Sequence, residues 1–280
     1  MTQKALRQTK RGEENPIQAF ILPVDQYDQG VMRRFIKILL DQGIELHQKQ
    51  EEFLCGHVVY PKNSYIIPLA QPKMGVVMNL LAQTRYPDND WTRNKKGEFT
   101  AFDTASDTVG EYMGMEIIPA NEKIADLGPV VCRVPCPAPA AFPQTRGYVL
   151  SAKANDSYHA VNLLLQSGLR VWRINACPYH DFYVEGDAEK LNEIFTKTNA
   201  IVRTVDQPYA DMTEIRPMKI GVYQRYYTGN ADEGWSRLLL DTMEYSYKTL
   251  RDKDILSGAL EDVDALVLPS DELAMLYGPQ

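Results

Sequence analysis

The sequence predicts an α/β chain: duplicated strand–helix units followed by a shorter strand–helix section. Two observations carry this expectation. Short apolar bursts alternate with longer stretches of helical period, and Gly or Pro punctuates the junctions. The order strand–helix–Gly–strand, then strand–helix, occurs twice, about 130 residues apart. A duplicated α/β unit is the reading; the lesser alternative is that any two βαβ units share this grammar.

In the first copy, Ala19-Phe20-Ile21-Leu22 reads as a short buried strand that Pro23 ends. Val31, Phe35, Ile38 and Leu39 then fall on one helical face, with Gly43 as the stop. Ile44 to His47 alternates as a strand, and Ser64 to Leu69 is the next. The helix after Pro72 carries Val76, Val77, Leu80 and Leu81 on one face. In the second copy, Tyr148-Val149-Leu150 is a strand. Ser157 is a candidate cap for a helix over Ala160 to Gln166, closed by Gly168. Strands at Leu169 to Ile174 and Asp181 to Val184 follow, then a helix from Ala188 to Thr196.

These elements divide the chain into a flexible leader (1–16), a first repeat (17–127), a linker (128–146), a second repeat (147–216) and a last section (217–280). The leader is charged and has little to bury. The linker holds Pro129, Pro135, Pro137, Pro139 and Pro143, which no regular helix interior tolerates. In the last section, strands are expected at Lys219 to Gln224, Tyr245 to Leu250 and Asp264 to Pro269. A helix capped by Asp232 is expected from Glu233 to about Met243, and a short one near Asp254 to Leu260. Open doubly wound sheets usually have about five strands, so three make this section look cut short.

Composition narrows the function classes. With 44% hydrophobic and 24% charged residues, the chain is globular and neither disordered nor collagen-like. No run nears the roughly 18–20 apolar residues of a membrane span. Residues 1–20 lack the apolar core of a secretory signal, so a cytoplasmic location is expected for the chain as it stands, while a parent protein could be exported. A net charge of −7 argues against nucleic acid as a partner.

Catalytic signatures are missing. The four histidines, His47, His57, His159 and His180, start no His-x-x-Glu pattern. Cys132 and Cys136 have no second ligand pair near them. Cys177 and His180 are close in sequence but lie on no nucleophile elbow, and no glycine-rich phosphate loop occurs. Asn155-Asp156-Ser157 is a glycosylation triplet that helix-capping chemistry also explains. No catalytic residue, metal ligand or cofactor is therefore assigned. The most distinctive stretch runs from Gly221 to Arg237, strand then loop then helix start. Such loops face the ligand crevice of an open α/β sheet. Trp235, Leu238 and Leu239 share a helical face and are expected to pack on the sheet, while Arg237 points elsewhere and can pair with a carboxylate. The candidate crevice residues are Gln71, Asp103, Gln224, Asp232, Glu233 and Arg237.

Three stretches carry a resemblance. They are Ser64 to Pro72 with Leu80 to Asp88, then Phe102-Asp103-Thr104-Ala105 with Met113 to Glu116, and Asp232-Glu233-Gly234-Trp235-Ser236-Arg237 with Val267-Leu268-Pro269 downstream. Over about residues 17–278 the chain resembles the region downstream of the catalytic domain in zinc-carboxypeptidase-like proteins of the metallocarboxypeptidase family. That resemblance implies that zinc and its His-x-x-Glu ligands belong to a separate peptidase domain. It also implies that the last section is a truncated class I glutamine-amidotransferase-like domain, a partial flavodoxin-like sheet without its nucleophile. The expected role is a non-catalytic accessory, scaffold or ligand-recognition segment. Its partner would be a zinc peptidase domain or a chain completing the C-terminal sheet. The rival is a free-standing hydrolase or transferase using Asp103, Asp232, Glu233 and Arg237. Convergence of these residues in one pocket separates the two.

Overall fold

A computed structural model describes residues 2–83, 88–100, 108–134, 142–176, 178–226 and 229–270. It is α/β, as expected, and divides into two compact units, Met1–Ala138 and Pro139–Gln280. The division falls within the proline-rich 128–146 stretch, whose residues 135–141 lie outside the described residues.

The first unit begins with a correction. The leader expected to be frayed forms helix α1 (Thr2–Glu13), which packs on α3 (Met74–Leu81). Gly12 makes this approach: a Cβ there would overlap the Leu69 carbonyl and Ala70 backbone. The Gln8 side chain accepts from the Gly75 N–H at 3.1 Å. Strand β1 (Ala19–Leu22) and helix α2 (Gln29–Asp41) follow. Asp28 Oδ1 caps α2 by accepting from the Gly30 and Val31 N–H groups at 2.8 and 3.1 Å. Next come β2 (His47–Gln48), the hairpin β3 (Phe53–Cys55) and β4 (Val58–Tyr60), and β5 (Tyr65–Pro68). After α3, a short α4 (Val109–Tyr112) leads to β6 (Ile118–Ala120).

The sheet order is β2-β5-β1-β6, with every pair antiparallel. With the hairpin counted as an insertion, this is a βαββαβ unit in the split-βαβ, ferredoxin-like order. The period-2 alternation of β1 and β5 divides their side chains between two cores. Phe20, Leu22, Tyr65 and Ile67 meet Phe35, Ile36, Leu39, Val77 and Leu80 of the helices. Ala19, Ile21 and Ile66 face the other way and are covered by Cys55 and Tyr60 of the hairpin.

The second unit repeats the plan. It contains β7 (Gly147–Leu150), α5 (Asn155–Gln166), β8 (Val171–Ile174), β9 (Phe182–Val184), α6 (Ala188–Thr198), β10 (Val202–Val205) and β11 (Met212–Ile215). The order β10-β7-β9-β8-β11, all antiparallel, is the same arrangement with one strand added at the β8 edge. Tyr148, Leu150, Phe182 and Val184 pack under Ala160, Leu164, Leu191 and Phe195. Val149, Ile174 and Tyr183 form the opposite layer with Trp172, Tyr209 and Met212. The two regions thus share one strand order and one pattern of antiparallel pairing. Ser157 is not the cap of α5, which starts earlier, at Asn155 after Ala154.

The same unit carries the last section: β12 (Ile220–Tyr223), α7 (Ala231–Thr242), β13 (Tyr247–Leu250), α8 (Asp252–Leu256), a 3₁₀ turn (Ala259–Asp262) and β14 (Ala265–Val267). Its sheet, β13-β12-β14, is parallel throughout, the opening 2-1-3 of a flavodoxin-like order. The end of α7 is tied to α5. Asn162 Nδ2 donates to the carbonyls of Met243 and Glu244 at 2.9 and 2.8 Å, and Gln166 Nε2 donates to Glu244 at 2.7 Å. Glu244 itself sits at φ 56°, in the left-handed region. Its carboxylate receives His159 Nε2 at 3.0 Å and Lys197 Nζ at 2.7 Å.

Candidate functional site

The site lies at the carboxyl end of β12, the central strand of the parallel sheet, where ligands bind in open α/β sheets. Gln224 follows β12, Arg251 follows β13, and Glu233 and Arg237 occupy successive turns of α7. Arg237 Nε donates to Glu233 Oε1 at 2.8 Å, an i,i+4 ion pair with both side chains largely buried. Gln224 Nε2 donates to the same carboxylate oxygen at 3.1 Å. Gln224 Oε1 accepts from Nε and Nη2 of Arg251 at 3.1 and 3.0 Å. Arg237, Glu233, Gln224 and Arg251 are therefore one continuous chain of hydrogen bonds. Arg237 also donates to Thr249 Oγ1 at 3.0 Å and lies 5.3 Å from the Tyr247 ring centroid. Burial works against the Arg237 charge, but its hydrogen-bonded partners, Glu233 foremost, outweigh that and raise its pKa.

Three of the six candidates thus converge: Gln224, Glu233 and Arg237. The other three do not join them. Asp232 is exposed, and the cap of α7 is Asn230, whose Oδ1 accepts from the Asp232 and Glu233 N–H groups. The helix starts earlier than its charged residues suggested, and Glu233 faces inward. Gln71 belongs to the first unit, where it is a buried structural amide. It accepts from the Glu45 N–H at 2.9 Å and donates to the Glu45 and Pro68 carbonyls at 3.0 and 2.7 Å. Asp103 lies outside the described residues, as do Cys136 and Cys177.

The orientation of α7 reverses expectation. Trp235, Leu238 and Leu239 are 69%, 53% and 56% exposed, whereas Glu233 is 8% exposed. The ion pair lets the polar side of the helix turn toward the sheet. The apolar side is left on the surface. Sequence reasoning also missed Arg225 and Arg251. Each directly follows or nearly follows a strand's carboxyl end, and that position was the available signal.

Among the described residues, no group of three or more His, Cys, Asp or Glu is placed to hold a metal ion, and no helix is long and apolar enough to cross a membrane. His47 bonds the Gly128 carbonyl at 2.8 Å and Glu45 at 3.0 Å, and His159 is engaged by Glu244. Cys55 is buried, and burial pushes its thiol pKa up, away from reactivity. No family model matches the chain, and neither curated proteins nor solved structures give a match.

Proposed function

We propose that this chain is a non-catalytic accessory scaffold of a zinc-carboxypeptidase-like protein, and that its last section docks on a partner polypeptide that completes the amidotransferase-like sheet. One observation carries the reading. Among described residues 217–270, Val222 and Leu250 are the buried aliphatic side chains, while Trp235, Leu238, Leu239, Leu256 and Leu268 are exposed. A parallel sheet is normally covered on both faces, and among the described residues no strand pairs with the outer edge of β14. An exposed apolar helix face such as that of α7 suits a protein interface. On this reading the zinc and its ligands sit in the partner's peptidase domain.

The rival enzyme reading draws on the convergence of Gln224, Glu233 and Arg237. Against it, the Glu233 carboxylate is already engaged by Arg237 and Gln224 in a structural network. The test mixes the full chain with a zinc-peptidase domain of the resembled family and follows sedimentation velocity and hydrogen exchange. The expected result is a stoichiometric complex that slows exchange in β12 and β14, and that Trp235→Ala with Leu239→Ala weakens at least tenfold. Failure to form a complex would overturn the scaffold reading if β12 in the free chain were also as protected as β1 and β5. Turnover of peptide or ester substrates, abolished by Glu233→Gln, would instead establish the rival.

A further inference from the structure

We infer that helix α1 adsorbs to an anionic lipid surface through a stripe of four cations, Lys4, Arg7, Lys10 and Arg11. The stripe belongs to the first unit, shares no residue with the docking face proposed above and does not rest on that reading. Lys4, Arg7 and Arg11 fall at i, i+3 and i+7, one face of a helix, and Lys10 borders them. With Gln8 and Glu14 they line a shallow depression of about 530 Å³. Four cations against one carboxylate give this lining a net charge of +3.

The helix that carries the stripe is already docked. Gly12 lies against Leu69 and Ala70, and Gln8 is bonded to the Gly75 N–H, so binding need not order the helix. All four cations are exposed. Among the described residues, the side chains of Lys4, Arg7 and Arg11 form no hydrogen bond or ion pair. Lys10 reaches Glu14 at 3.7 Å, with both side chains in water, and a pair that exposed holds little. Glu13 is exposed but stands two turns after Leu6, to one side of the stripe.

Geometry selects the kind of anion. Among the described residues, everything that lines the depression belongs to α1 or directly follows it, so no second element closes over a small ligand. The cations are instead spread over about 10 Å of helix axis, which suits a flat array of headgroups met at several points. No aromatic side chain stands on the helix for a nucleic-acid base to stack on. Leu6, 66% exposed, lies beside Arg7, and the aliphatic stems of Lys and Arg can rest on an apolar boundary while their heads stay in water. The net charge of −7 opposes contact only at long range. At physiological salt the Debye length is about 8 Å, so a surface touching α1 senses the stripe before the rest of the chain.

The test is co-sedimentation of the full chain with vesicles at low salt. One arm uses phosphatidylcholine alone, the other phosphatidylcholine with about 30% phosphatidylserine. Binding in the second arm and not in the first is expected, and added salt should weaken it steeply. Arg7→Gln with Arg11→Gln removes two exposed cations and should weaken binding about 25-fold, at about fivefold per cation. Lys95→Gln with Lys96→Gln removes the same charge from an exposed loop and should leave binding within about twofold. Should hydrogen exchange show α1 undocked in the first variant, Lys4→Gln with Lys10→Gln gives the same readout. No binding to the phosphatidylserine vesicles overturns the proposal, and so does equal loss in the stripe and loop variants. A single-stranded oligonucleotide that binds tighter than the vesicles, and is lost in the stripe variant, would assign the stripe to nucleic acid and also overturn it. None of these outcomes involves the peptidase complex, so either reading can fail without the other.

Discussion

Replacing Asn162 by Asp tests how the last section is held. The change is isosteric, but it turns a donor facing two carbonyl oxygens, at 2.9 and 2.8 Å, into an acceptor. Asn162 is 8% exposed, so water replaces the lost bonds poorly. Two hydrogen bonds at about 0.5–1.5 kcal/mol each give a loss of about 1–3 kcal/mol, before any repulsion between the new carboxylate and the carbonyls. The residues affected close α7 and precede β13, and few buried apolar contacts stand behind them. The loss should therefore appear as easier opening of 217–270 while β7 and β9 stay closed. In native-state hydrogen exchange, Ile220 to Tyr223 should lose about 5- to 150-fold in protection, and Tyr148 and Tyr183 should be unchanged. If β12 kept its wild-type protection in a folded variant, the section would be stable by itself, and the argument from its thin core would fail.

Two further outcomes are expected. Gly12→Ala should raise the helix propensity of α1 yet release it from Leu69, at a cost of about 1–3 kcal/mol for the overlap, seen as faster exchange in α1 without loss of β1. Glu244 is held below the ordinary glutamate range by Lys197 first and His159 second. Its folded pKa is depressed, so its contribution is fully present above the unfolded value of about 4.3 and is lost as pH falls through the folded value. Exchange in the last section should therefore accelerate on acidification below about pH 4.3. Glu244→Gln should remove that part of the pH dependence, and an unchanged acid profile in the variant would show that Glu244 does not link the section to α5 and α6.

What the sequence determined by itself was the strand–helix rhythm and its recurrence in the two regions. Ala19 to Leu22 and Tyr148 to Leu150 are short apolar bursts of strand length, and the structure then divides each between two faces. The positions of β1, α2, β5, β7, β9, α6 and α7 follow from such local periods and from Gly43 and Gly168 at helix ends. The pairing order was not legible, because a strand's neighbours depend on hydrogen bonds between distant backbones. The tertiary structure alone made both repeats antiparallel and the last sheet parallel. It also decided the facing of α7. Trp235, Leu238 and Leu239 have the spacing of a buried stripe, but Glu233 and Arg237 share a face too, and their mutual neutralisation lets that face turn inward. Hydrophobic period alone weighs one helix face against water. It cannot weigh it against an ion pair whose second anchor, Gln224, and third, Thr249, arrive from other strands.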